Sequence, residues 1–248
     1  MQPRGEYAGI VSAHQASISR KLAPANSEFG TLLAAADTRS PDADDLGAEL
    51  GSHLAASTGP WQLWIPNPSE AEDAVAQEQG FVPYRDLWQL RINLPIATPA
   101  RARTVTTRSF TPADADGFLN VNNRAFAWHP EQGGMTHERL DATRAEPWHD
   151  DEHFRILEQD GKVIGFNWLK IHQDFSPAMG EIYAIAIDPD AHGGGLGLAL
   201  TRNGLDHLHH HGLTRAMLYV ESDNTAANAA YERAGFAHHQ TNRAYRRS

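Results

Sequence analysis

The segment 180–200, GEIYAIAIDPDAHGGGLGLAL, constrains this chain more than any other. Its apolar run 182–187 is short and rich in β-branched residues, the pattern of a buried strand. Asp188-Pro189 ends the run, because proline cannot donate to a ladder and biases the residue before it away from helix. Gly193, Gly194, Gly195 and Gly197 follow, and then a helix-like stretch over 198–211. A strand, a glycine loop and a helix in that order make an anion site. Glycine allows the loop amides to turn inward, and the helix adds its positive end.

The loop is no Walker phosphate loop, since Gly195-Leu196-Gly197 stands where that motif needs Gly-Lys-Ser/Thr. It fits the dinucleotide fingerprint no better, lacking both G-x-G-x-x-G and an acidic residue closing a following strand. A glycine cluster alone is equally a turn. Read as polar-x-x-G-x-G, His192 to Gly197 resembles the pyrophosphate loop of the GNAT acetyltransferases. That loop usually begins with Gln or Arg. Here His192 takes the first place and Gly194 the place of a frequent Arg, so the amides are left to carry the binding.

A second motif lies downstream in LYVESDNTAANAAYERAGF, 218–236. Residues 218–220 read as a strand and Asn224 as a helix N-cap. Ala227, Ala230 and Tyr231 fall three and four residues apart on one helical face. Gly235 closes the helix and Phe236 opens another strand. Alone, Tyr231 reads as a core aromatic. Taken with the loop, N-x-x-A-x-x-x-Y-x-x-x-G-F resembles the second half of a GNAT acetyl-CoA site. The resemblance implies acetyl-CoA as co-substrate. The coenzyme would contact Ile185, Ala186, Ile187, His192, Gly193, Gly194, Gly195, Leu196, Gly197 and Leu198, and then Asn224, Thr225, Ala226, Ala227, Asn228 and Ala229.

Charge and composition narrow the partners. The formal charge is −10 and no long basic run occurs, which argues against nucleic acid and anionic membranes. There is no cysteine, so disulfides, a thiolate nucleophile and cysteine-ligated zinc are excluded. No apolar stretch is long enough to span a bilayer. No signal-peptide pattern opens the sequence, and a cytoplasmic monomer acting on a small-molecule amine is the expectation.

Along the chain, 5–15 reads as a first strand, 46–56 as a helix, 61–65 as a strand, 70–79 as a helix ending at Gly80-Phe81, and 86–94 as a strand. The later half repeats strand, helix, Gly-Phe, strand, and the place of Tyr231 is held here by Ala76. The prolines of 95–100 suit a linker. Residues 103–110 then read as a strand, 111–128 as a helix begun at Thr111-Pro112, and 137–146 as a second helix. A hairpin over 154–159 and 162–171 turns at Asp160-Gly161. From 103 onward the order is β-α-α-β-β-β-α-β-α-β.

A narrower resemblance rests on VNNRAFAWHPEQGGMT (121–136), EPWHDD (146–151), FNWLKIH (166–172), GEIYAIAIDP (180–189) and DLWQLRINLP (86–95). These segments are similar to those of the mycothiol synthases, strongly over 101–248 and weakly before 60. The resemblance implies two GNAT-like α/β domains in tandem. The first, over 1–95, would be truncated and degenerate, with a linker at 96–102. The second, over 103–248, would be complete, with a central mixed sheet flanked by helices. It also implies N-acetylation of the cysteinyl amine of a cysteinyl-glucosaminyl-inositol. Two alternatives stay open: acetylation of another primary amine, such as a peptide N-terminus or an aminosugar, and acetyl-CoA binding without catalysis.

The implied roles follow. An α-amine has a pKa of about 8, so Glu181 at the strand edge is sufficient as its base or anchor. Backbone amides near 185–187 would hold the oxyanion. Tyr231, a phenol with an ordinary pKa of about 10, would protonate the departing thiolate. Lys170, Tyr219 and Asp150 match substrate contacts. His207 and His211 stand one helical turn apart, a spacing that suits chelation, but no third ligand is apparent in the sequence and no metal is expected.

Overall fold

A computed structural model of the chain describes residues 21–24, 43–56, 60–97, 99–129 and 132–248. The strand expected over 5–15 lies outside them. Two compact units result. One holds Leu90–Val220 with Asn224–His238. The other holds the described residues up to Gln89, with Glu221–Asp223 and His239–Ser248.

The second unit contains β1 (Lys21–Pro24), α1 (Ala43–Ala56), β2 (Trp61–Pro66), α2 (Glu70–Glu78) and most of β3 (Val82–Asn93). Local chemistry starts α2. Ser69 and Glu72 close a reciprocal capping box, and Glu70, Glu72 and Asp73 place negative charge at the helix's positive end. Alternation along β2 sends Trp61, Leu63 and Ile65 into a core with Leu46, Leu50, Ala76, Phe81 and Tyr245. Ala76, fully buried, is therefore a packing residue. Tyr245 comes from the chain's last strand, which runs antiparallel to β2 with Leu63 opposite it.

The first unit carries β4 (Arg108–Ser109), α3 (Ala115–Ala125), α4 (His137–Arg144), β5 (Phe154–Gln159), β6 (Lys162–His172) and β7 (Met179–Ile187). It continues with α5 (Leu196–His210), β8 (Arg215–Glu221), α6 (Thr225–Ala234) and the start of β9 (Ala237–Arg247). This is the β-α-α-β-β-β-α-β-α-β order read from the sequence. Its strands lie in the order β8-β7-β6-β5-β4, with β7 and β8 parallel and the others antiparallel. The β5–β6 turn has φ of 52° at Asp160 and 73° at Gly161, the paired left-handed angles of a type I′ hairpin.

Side-chain alternation on β6 assigns the layers. Phe166 and Trp168 face α3 and α4 in a core with Phe118, Val121, Leu140 and Phe154. Asn167 and Leu169, on the opposite face, meet α5 at Gly204. Phe154 lies flat between Phe110 and Trp168, with ring centroids 4.5 and 4.1 Å away.

Two expected elements are shorter than read. The strand over 103–110 contracts to Arg108–Ser109 because side chains take the preceding carbonyls. Arg155 donates to Thr107 O at 2.8 Å and Asn203 to Val105 O at 3.2 Å. The helix over 111–128 opens as a 3-10 turn, Pro112–Asp114, and ends at Ala125. Among the described residues, no helix is long and apolar enough to cross a membrane.

Asp114 ties this entry turn down. Arg108 grips both its oxygens at 2.7 Å, and Thr111 donates through its amide and hydroxyl. The guanidinium contact foremost lowers the carboxyl pKa from 3.8 to about 2. A depressed carboxylate stabilises the fold above its unfolded pKa, and that contribution is lost as pH falls through about 2. Asp114→Asn is expected to cost about 1–2 kcal/mol at pH 7, discounted for the partial exposure of Arg108. In urea melts the difference from wild type should shrink between pH 4 and pH 2.

Candidate active site

Every residue expected to bind or react lies in the first unit. All nine residues of β7 are buried. Its pairing with β6 runs from His172↔Met179 to Gly165↔Ile187, interrupted once. Trp168 faces Ala184 and Leu169 faces Ile182, which leaves Tyr183 as the extra residue of a bulge. On its other side β7 keeps register with β8 only from Gly180↔Ala216 to Ile182↔Leu218. Asp188 N donates to Ile164 O at 2.8 Å. Antiparallel ladders alternate, so the amides of Ile185 and Ile187 point away from β6, toward the edge that β8 has left, while Ala186 N points to β6.

Beyond β7 the chain turns through Asp188-Pro189. Arg124, from the last turn of α3, holds both oxygens of Asp188 and one of Asp190 at 2.8 Å. The glycine loop follows with three successive left-handed residues, Gly193 at φ 111°, Gly194 at 58° and Gly195 at 74°. Side-chain-bearing residues resist that run, and it delivers the chain directly into α5 at Leu196.

Two side chains brace the loop. His192 Nε2 donates to Ile187 O at 3.0 Å, so this residue ties the loop back to its strand. Arg103 Nη1 donates to Gly194 O at 3.0 Å and approaches Gly193 O at 3.5 Å. It occupies the space where a Gly194 side chain would begin, 2.6 Å from an added Cβ. Sequence reading missed Arg103, since nothing in its neighbourhood marks it as a partner of a loop ninety residues away. A polar cleft of about 830 Å³ adjoins the loop at Leu196 and Arg103 and is lined further by Asp114, Arg124, Asp188 and Asp190.

Glu181 and Lys170 lie opposite each other in the β6–β7 register. Both are buried, Glu181 at 1% exposure and Lys170 at 8%. His172 Nε2 lies 2.5 Å from Glu181 Oε2, and Glu181 Oε1 is buried with no hydrogen-bond partner. Lys170 Nζ stands 4.9 Å over the Trp148 ring, which packs 4.8 Å from Tyr183. Burial, and then the nearby Glu181 charge, push the Tyr183 hydroxyl pKa well above its ordinary value. His172 and Tyr183 thus join the expected pair of Glu181 and Lys170. His172 was legible only as a neighbour of Lys170 two positions along one strand face.

The remaining residues are placed by α6 and two flanking segments. Asn224 Oδ1 accepts from Ala227 N, capping α6, and Gly235 closes it at φ 103°. Ala227, Ala230 and Tyr231 form its buried face, and α6 packs on α5. Thr225, Ala226, Asn228 and Ala229 occupy its first turns, and Gly197 and Leu198 those of α5. Tyr219 is buried on β8. Asp150 is exposed, and its carboxylate caps a 3-10 turn by accepting from Glu152 N at 2.8 Å.

Residues 122–236 match the model of the acetyltransferase (GNAT) family. The chain is 44% identical over 205 residues to a mycothiol acetyltransferase of Streptomyces griseus, covering 81% of this chain and 66% of that protein. It is 46% identical over 210 residues to one of Salinispora arenicola, covering 82% and 68%. It is 38% identical over 243 residues to one of Nocardia farcinica, covering 94% and 77%. The chain spans about two thirds of the length of the Streptomyces relative. A GCN5-related N-acetyltransferase from Sphaerobacter thermophilus shares the fold, with a TM-score of 0.63 at 22% identity, over 80% of this chain and 63% of that one.

The loop angles yield a direct test. Gly195 has open space where a Cβ would project, so only its φ opposes a side chain. Gly195→Ala should cost about 1–2 kcal/mol in chemical denaturation, the penalty of one left-handed residue.

Proposed function

The chain belongs to the GNAT acetyltransferase family, and on that premise we propose that it moves acetyl from acetyl-CoA to the cysteinyl amine of a cysteinyl-glucosaminyl-inositol. The observation that carries the reading is Glu181. A carboxylate 1% exposed, with one oxygen held by His172 and the other without a partner, costs about 1–3 kcal/mol until a donor arrives. An incoming ammonium or amine supplies that donor. The names of relatives at 38–46% identity support the acceptor, and the absence of cysteine supports direct attack over a thioester intermediate on the protein.

In this reading the amine nitrogen forms the new bond to the thioester carbonyl carbon and gives its proton to Glu181, which His172 orients. The amides of Ile185 and Ile187 stabilise the oxyanion, because they point to the vacated edge of β7. The carbon–sulfur bond breaks and the leaving thiolate takes its proton from Tyr231. Amides of the glycine loop and the start of α5 bind the diphosphate. Lys170 and Tyr219 contact the sugar-inositol, with Asp150 at its margin. Ala76 in the core place of Tyr231 supports residues 1–95 as a shortened, degenerate copy of the domain at 103–248, with 96–102 between them.

Purified chain should be offered acetyl-CoA with the cysteinyl aminosugar, a bare aminosugar and a peptide N-terminus. Products are followed by mass, because the proposed acceptor carries its own thiol. Acetylation of the cysteinyl compound alone is expected. Turnover confined to the other amines would replace the acceptor, and coenzyme binding without any product would replace the activity. Glu181→Gln should lower kcat/KM by about 10²–10⁴. Tyr231→Phe should lower kcat while the Kd for acetyl-CoA stays nearly unchanged, and a wild-type rate would remove the phenol from the reaction.

A further inference from the structure

At the end of α5 away from the glycine loop, three imidazoles converge. His207 lies in the last turn and His211 is the C-cap. His153 arrives from the 3-10 turn Asp151–His153 that leads into β5. One nitrogen from each ring lies within 4.8 Å of the other two. His153 Nδ1 is 3.0 Å from His207 Nε2, and His211 Nε2 is 3.2 Å from Glu152 Oε1. Ligands of a tetrahedral zinc ion, bonded at about 2.0–2.1 Å, stand about 3.3 Å apart.

The hydrogen-bond pattern favours a cation. His211 Nδ1 lies 2.8 Å from the His207 carbonyl, which can only accept, so Nδ1 carries the ring proton. In the neutral ring, Nε2 is then a lone pair aimed at a carboxylate, two acceptors face to face. A metal ion between them satisfies both, and the Nδ1 bond is the outer contact that fixes a coordinating imidazole. Between His153 and His207, one bridging proton stands where two lone pairs would otherwise point together.

The surroundings are rigid and of suitable sign. Phe154, next to His153, is clamped in its aromatic stack. Leu208, next to His207, is fully buried where α5 approaches Gly180 so closely that a Cβ there would lie 2.7 Å from Leu208. Asp150 and Glu152 add negative charge, and the helix end presents its partial negative charge. Arg155 is the opposing cation, but its nitrogens are bonded to Thr107, Ser109 and Glu152 O.

We propose that His153, His207 and His211 form a site for zinc or a similar divalent transition metal, with the Glu152 carboxylate beside His211 as its fourth neighbour, stapling the end of α5 to the start of β5. Three imidazoles from two elements make the bound ion a cross-link between them. It lies about 18 Å along the helix from Gly195. It does not depend on the acceptor proposed above.

Untagged full-length chain, stripped with a chelator, should bind one Zn²⁺ per chain by calorimetry. Co²⁺ should give the intense visible bands of a tetrahedral site. His153→Ala, His207→Ala and the more exposed His211→Ala should each weaken Zn²⁺ binding at least about 100-fold. His209→Ala, on the same helix end but outside the cluster, should bind as wild type, with near-ultraviolet circular dichroism confirming the fold of each variant. Zn²⁺ should raise the Tm of wild type and not of folded His211→Ala. Absence of stoichiometric binding, or binding unaltered in the cluster variants, would overturn the site.

Discussion

β7 loses one of its two neighbours partway along, and the candidate site is arranged around that loss. Buried main-chain donors need partners. The ladder with β6 runs along β7 with one interruption at Tyr183, while register with β8 stops at Ile182. The amides of Ile185 and Ile187 are thereby directed to an edge without a registered strand. The bulge at Tyr183 resets the alternation at the same point. Glu181 and Tyr183 face the aromatic layer before it, and Ala184 and Ala186, both small, do so after it. One extra residue thus places a carboxylate and two amides turned from β6 along a single strand.

The helix α5 extends this arrangement in both directions. Its N-terminus follows three left-handed glycines, and its positive end suits an anion. Its C-terminus gathers imidazoles and Glu152, and its negative end suits a cation. The close approach at Gly180 sets how deeply the helix sits on the sheet. A second close approach, of Gly204 to Asn167 and Leu169, seats the middle of the same helix.

The loop carries no cation of its own in a chain of net charge −10. Arginines from elsewhere act on its frame. Arg124 neutralises the Asp188 and Asp190 carboxylates beside it. Arg103 binds the carbonyls of Gly193 and Gly194, so the amides that share those peptide planes, on Gly194 and Gly195, face the other way. The charge missing from the motif is recovered as control over backbone direction.

Local chemistry was readable in the amino-acid order. The Asn224 cap, the Asp160-Gly161 turn, the Gly235 stop and the full element order from 103 onward all emerged as expected, because each depends on backbone angles set by a few adjacent residues. The glycine loop was readable for the same reason. Partners distant in sequence were not. Nothing near His153 marks it for His207 and His211, nothing near Arg103 marks it for Gly194, and the His172–Glu181 pair needed a bulged register to form. Hydrophobic periodicity reports which face of an element is buried, but only packing decides which other element covers it. The sequence by itself determined the element order from 103 onward and the glycine loop, and tertiary structure decided which side chains meet across them.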